Sequence, residues 1–117
     1  MKGLPPKESA VQIAIINRLA LHGVVCIHVP NGGTRDPREA RSLKAQGVMA
    51  GTPDLICIGI GGRVAWLEVK RPGYAPSAVK QSQRDMHHLL RRRGHLVAIV
   101  TTQDEAVACM REWGLIR

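Results

Sequence analysis

Residues 51–70 read Gly-Thr-Pro-Asp-Leu-Ile-Cys-Ile-Gly-Ile-Gly-Gly-Arg-Val-Ala-Trp-Leu-Glu-Val-Lys, with Asp54 to Ile60 and Arg63 to Lys70 forming two apolar, β-branched runs around Gly61-Gly62. Paired glycines between two such runs predict a β-hairpin. Side chains alternate along a strand, so Trp66, Glu68 and Lys70 share one face of the second strand, while Leu67 and Val69 share the other. Glu68 thus interrupts a segment that otherwise favours burial. Burying a carboxylate costs several kcal/mol unless it is paired or binds a cation.

Upstream of the hairpin, Val11, Ile15 and Leu19 recur at four-residue spacing, joined by Ile13, Ala14 and Ile16, and predict a largely buried helix from Glu8 to Leu21. Val24 to Val29 is a strand running into the Pro30-Asn31-Gly32-Gly33 loop. Asp36-Pro37-Arg38-Glu39 supplies an N-cap, a proline at the first helical position and a capping-box acid, so a short basic helix follows, stopped at Gly47. Downstream, Pro72-Gly73 ends the second hairpin strand. A polar helix is expected from Ser77 to Arg93, with Val79, Met86, Leu89 and Leu90 inward, then a strand from His95 to Thr101. Thr102 and Glu105 cap a last helix bearing Ala106, Val107, Met110 and Trp113. This order predicts an α/β fold, a mixed β-sheet flanked by helices, in a single domain over residues 1–117.

The 17 Lys+Arg against 9 Asp+Glu give the 117-residue chain a formal charge of +8, which points to a polyanionic partner. No apolar run approaches the ~20 residues of a membrane span, and the start lacks the apolar segment of a signal peptide, so a cytoplasmic protein with no membrane association is expected. With 0 Phe, 1 Tyr and 2 Trp, a sheet that stacks several bases on aromatic rings cannot be assembled. Cys26, Cys57 and Cys109 lie in apolar runs without a CxxC pair, as reduced thiols do. The histidines have no zinc-like spacing, and adjacent His87 and His88 point apart on a helix.

Most acids have structural work. Asp36, Glu39 and Glu105 cap helices, Asp104 complements a helix dipole, and Asp85 and Glu112 face water. Glu8, Asp54 and Glu68 remain. Taken alone, Glu68 and Lys70 make an ordinary same-face ion pair. With Asp54 across the hairpin, two carboxylates and a lysine converge at one end of two paired strands. Such carboxylates can hold a hard divalent cation that polarises a phosphate and activates water, while the lysine orients that water or neutralises developing charge. A two-residue turn at Gly61-Gly62 would pair Asp54 with Val69 and turn it away from Glu68. The shared site therefore requires a three-residue loop with a glycine bulge, or Asp54 just outside the ladder.

Gly51-Thr52-Pro53-Asp54 followed by Glu68-Val69-Lys70 resembles the PD-(D/E)XK nuclease superfamily, and more fully its VRR-NUC family. That resemblance extends to Glu8 and Gln12, to Asn31-Gly32-Gly33-Thr34-Arg35, to Leu43-Lys44-Ala45-Gln46-Gly47 and to a glutamine, matched to Gln83, on the following helix. It implies a restriction-endonuclease-like core of order α-β-β-β-α-β, dependence on Mg²⁺ or Mn²⁺, and hydrolysis of DNA phosphodiesters. Carried over by position, Asp54 and Glu68 would be metal ligands together with the main-chain carbonyl of Val69. Glu8 would approach the metal directly or through water, Lys70 would be catalytic, and Gln83 would position the lysine or substrate. It further implies a phage or bacterial homodimer acting on duplex or branched DNA in replication or repair.

Arg35, Arg38, Arg41, Lys44, Arg71 and Lys80 are the expected phosphate contacts, those of the short helix and around Pro72 being the closest of them in sequence to this set. Arg91-Arg92-Arg93 is explained more simply by favourable charge at a helix C-terminus. Two other readings compete with a structure-selective nuclease. One is a non-catalytic, basic DNA-binding subunit with a nuclease-like fold, and the other is a small RNA-associated α/β protein in which Glu68 and Lys70 are structural.

Overall fold

The computed structural model describes Leu4, residues 6–30 and residues 36–117. The helices are α1 (Glu8–Leu21), α2 (Pro37–Ala45), α3 (Gln81–Arg92) and α4 (Gln103–Glu112), and the strands are β1 (Val25–His28), β2 (Leu55–Ile58), β3 (Val64–Val69) and β4 (Leu96–Val100). The strands form one sheet in the order β1-β2-β3-β4, antiparallel through β3, with β4 parallel to β3. Apart from α2, inserted between β1 and β2, and α4, which follows β4, this is the expected α-β-β-β-α-β core.

Alternation along the strands decides the layers. Leu55, Cys57, Ala65, Leu67, Val69 and Val100 face α1 and α4, where Ile15, Leu19, Ala106 and Met110 complete the core. The opposite face carries Trp66 and Glu68 toward α3, whose Met86 and His87 are buried. At roughly 1.5–3 kcal/mol per fully buried aliphatic side chain, the α1/α4 layer dominates stability and leaves the α3 face free for polar groups. Cys26 and Cys57, directly paired across β1 and β2, are free thiols 3.7 Å apart.

The hairpin takes the form the shared site requires. Gly59 N–H donates to the Arg63 carbonyl at 2.8 Å, leaving Ile60–Gly62 as a three-residue loop. Gly61 and Gly62 turn through φ of 66° and 75°, a left-handed conformation that costs glycine no Cβ clash. The resulting register sets Leu55 opposite Leu67, and one further step sets Asp54 opposite Glu68.

Three local expectations are corrected. The helix expected from Ser77 begins at Gln81, because Pro76–Ala78 close into a single 3-10 turn and the Gln83 side chain caps the Lys80 N–H at 2.9 Å. Leu89 is 38% exposed while His87 is buried in its place, since α3 meets the sheet over Glu68. Helix α1 buries only the Val11, Ile15, Leu19 stripe, and Ile13 is 59% exposed. Among the described residues, no helix is long and apolar enough to cross a membrane.

Candidate active site

The Asp54 side chain and main chain are fixed by different strands. Its carboxylate Oδ2 accepts the Val69 N–H at 2.7 Å, and its carbonyl accepts the Val29 N–H at 2.8 Å and lies 3.1 Å from His28 Nδ1. Glu68 is 1% exposed and Lys70 6%, both projecting from the β3 face opposite the core. Helix α3 closes over them. Gln83 Oε1 accepts from Lys70 Nζ at 3.3 Å and from the Lys80 N–H, while its Nε2 donates to Glu68 Oε2 at 3.5 Å. One turn later, His87 Nε2–H donates to Glu68 Oε1 at 3.3 Å. Gln83 and His87, four residues apart on one helix face, thus fasten the two oxygens of the same carboxylate.

His87 is the site residue that sequence reasoning missed. Its signal was the four-residue step from Gln83, which places both side chains on one face of α3. Burial, with the positive charges of Arg91 and Lys70 nearby, lowers its pKa and favours the neutral imidazole that donates through Nε2.

The approach of α3 depends on Gly51. At φ +82°, this residue lies against the first turn of the helix, where an added Cβ would overlap the Ser82 carbonyl and come within 2.8 Å of the Gln83 nitrogen. The glycine of Gly-Thr-Pro-Asp is therefore where the strand entrance and the Gln83-bearing helix touch backbone to backbone.

Two acids share this buried space. Burial pushes Asp54 up to about 7, and its hydrogen bond to Glu68 adds to the rise while the Val69 N–H opposes it. Burial also raises Glu68, against the hydrogen bond from Asp54 and the charge of Lys70. Both carboxyls therefore give up their protons at higher pH than free ones do.

This arrangement gives the metal-free protein a defined pH response. The folded-state pKa of Asp54 lies above its ordinary value of 3.8, so its contribution to stability is complete below that value and is lost as pH rises through about 7. In EDTA, wild-type protein should therefore lose melting temperature relative to Asp54→Asn as the pH rises from about 5 to 8. A melting-temperature difference independent of pH would contradict the raised Asp54 pKa.

The other expected residues divide by location. Glu8, exposed at the start of α1, lines a 290 Å³ pocket with Lys70, Arg71, Pro72, Gly73, Tyr74 and Ala78. Its charge acts on Glu68. Among the described residues, however, no group of three or more His, Cys, Asp and Glu is close enough to hold a metal ion without other donors. Arg71 enters the same pocket and donates through Nε to the Pro6 carbonyl at 3.2 Å. Lys80 is exposed at the N-cap of α3. Arg38, Arg41 and Lys44 lie on α2, which buries none of its residues, and Arg38 and Arg41 line a separate surface depression with Asp36 and Pro37. None of the three lines the Glu8–Lys70 pocket. Arg35 lies outside the described residues.

A buried and a half-buried carboxyl group, with hard oxygen donors beside an open pocket, fit Mg²⁺. This ion is commonly held by one or two carboxylates and completes its shell with water and substrate phosphate. Carboxylates bind such an ion only when deprotonated, so affinity should rise with pH.

Comparison with known proteins places the chain in a family. The VRR-NUC domain model matches residues 6–104. A solved VRR-NUC domain structure superposes with a TM-score of 0.64 at 21% identity, covering 91% of this chain and 96% of its own. A second, titled a VRR-NUC domain protein, gives a TM-score of 0.70 at 21% identity, covering 94% of this chain and 89% of its own. No curated protein matches the sequence. With the family match spanning most of the chain and the same fold found in both solved structures, the chain belongs to the VRR-NUC family, whose domain implies a nuclease-type function.

Proposed function

We propose that this chain is a divalent-metal-dependent nuclease that hydrolyses DNA phosphodiester bonds and is selective for branched or otherwise distorted DNA. The supporting observation is the convergence of Asp54, Glu68 and Lys70 on one strand face beneath α3, with Lys70 opening into a pocket. A purely DNA-binding surface has no use for a buried and a half-buried acid held beside a buried lysine, because each costs desolvation energy.

Asp54 and Glu68 would hold Mg²⁺ or Mn²⁺ together with the Val69 carbonyl, and Glu8 would act from the pocket rim through water. When bound, the cation supplies polarisation of the scissile phosphate and a lowered pKa for a water molecule. The protein does the positioning. The Val69 N–H and the β1–β2 contact keep Asp54 from rotating away, and Gln83 and His87 fix the plane of Glu68. Lys70 projects its ammonium into the same space, where it neutralises charge developing on the phosphate oxygens. Gln83 Oε1, already anchored by the Lys80 N–H, sets the lysine's reach. The basic surface attracts the substrate backbone without reading sequence. A homodimer would present two such sites to one branched DNA.

The test is incubation of labelled duplex, single-stranded, flap and four-way-junction DNA with Mg²⁺, Mn²⁺ or EDTA. Cleavage confined to the metal-containing reactions and fastest on a branched substrate is expected. Binding of all four DNAs without cleavage in either metal would favour the non-catalytic subunit.

A further inference from the structure

Beyond the catalytic pocket, α3 borders a second groove of about 650 Å³, lined by Tyr74, Val79, Arg84, His88, Arg91 and Ile99 among others. Tyr74 also lines the Glu8–Lys70 pocket, so the two depressions share this residue. His87 lines the groove as well and bonds Glu68. We propose that this groove is a subsite for an unpaired DNA strand leading out of the catalytic pocket, with Tyr74 stacking on a base and Arg84, His88 and Arg91 facing its phosphates. The proposal rests on the nuclease reading and specifies the form of DNA that the same site engages.

Charge and shape point the same way. Arg84, His88 and Arg91 are separated by four and three residues, the spacing of one helix face. Arg84 donates to the Val79 carbonyl and to Gln81 Oε1, and Arg91 donates to the Val97 carbonyl at 3.0 Å. All three acceptors are neutral. Each guanidinium is therefore held in place without losing its charge, and each keeps further N–H donors for a phosphate. No carboxylate lines the groove, and among the described residues neither arginine forms an ion pair.

The aromatic component separates an unpaired strand from a duplex. The chain has 1 Tyr, and it stands at the junction of the groove and the pocket, beside the apolar surfaces of Pro76, Val79 and Ile99. Bases in a duplex stack on each other and leave no face for a side chain, whereas an unpaired base presents one. A basic groove with an aromatic platform is the arrangement that grips single strands without reading their sequence. The groove's size falls in the range of small-ligand sites, enough for roughly one or two nucleotides.

The test is fluorescence anisotropy in EDTA, where no cutting occurs, with a labelled single-stranded oligonucleotide and a blunt duplex of the same sequence. Tyr74→Ala should weaken single-strand binding by roughly 5- to 100-fold and duplex binding much less, while Tyr74→Trp should restore it. Arg91→Gln should flatten the salt dependence of single-strand binding by about 0.7 in log–log slope, one phosphate contact. Equal losses for both DNAs in Tyr74→Ala, or no loss for either, would overturn the subsite. Binding is read without catalysis, so the two readings fail separately. Tyr74-dependent capture by a protein that never cuts would refute only the nuclease, and cutting by a protein with Tyr74-independent binding would refute only the subsite.

Discussion

Replacing Lys70 with methionine should lower the rate of DNA cleavage by about 10²- to 10³-fold, the size of effect seen when one preorganised stabiliser of transition-state charge is removed. Methionine is the informative replacement, because Lys70 is 6% exposed and a truncation to alanine would also leave a void. The longer apolar side chain fills the space, and Gln83 Oε1 keeps the Lys80 N–H as its donor. DNA affinity measured in EDTA should change by less than about threefold, since one buried ammonium adds little to an electrostatic attraction spread over the surface. Single-turnover cleavage and anisotropy on the same preparation separate the two. Wild-type cleavage by Lys70→Met would remove the lysine from the chemistry.

The second large effect is expected at a residue with no functional group. Gly51→Ala places a methyl group on the Ser82 carbonyl and forces alanine to φ +82°. Backbone cannot swing aside as a flexible side chain can, so helix α3 must shift at its first turn. The left-handed conformation costs about 1–2 kcal/mol and the overlap about 1–3 kcal/mol, for a total of roughly 2–5 kcal/mol. In a protein of this size the melting temperature should fall by on the order of 10 °C. Cleavage below the new melting temperature should also fall, because Gln83 moves with that turn and releases both Lys70 and Glu68. A variant that melts normally and cuts normally would contradict the close approach of Gly51 to α3.

Much of this architecture was legible in the residues because its signals are local. The Asp36 cap shows in the bond it accepts from the Glu39 N–H at 2.8 Å, the Thr102 cap in its bond from the Glu105 N–H at 3.1 Å, and the alternation of Trp66, Glu68 and Lys70 in the face they share. The hairpin register was constrained more indirectly. A shared site demanded that Asp54 face Glu68, and the three-residue loop at Ile60–Gly62 supplies that offset. What failed depended on tertiary contact. The start of α3 is set by a glutamine that caps its own helix while reaching across to β3, which no propensity encodes. His87 replaces Leu89 as the buried residue because a carboxylate lies beneath it, a polar partner invisible to a search for apolar spacing. The basic residues of α2 stand on an inserted helix, where Arg38 and Arg41 line a surface depression of their own.

The proposed role of Asp54 and Glu68 is to hold one divalent cation between them. It is tested most directly by titrating Mn²⁺ into the protein while following the free ion by electron paramagnetic resonance, with wild type, Asp54→Asn and Glu68→Gln compared at pH 8. Both substitutions keep the side-chain size and leave acceptors for Val69 and His87, so any loss reports the missing carboxylate. One Mn²⁺ per chain in the wild type, with affinity reduced at least about tenfold in each variant, is the expected result. Undiminished Mn²⁺ binding in both variants would show that the paired carboxylates are not the metal site.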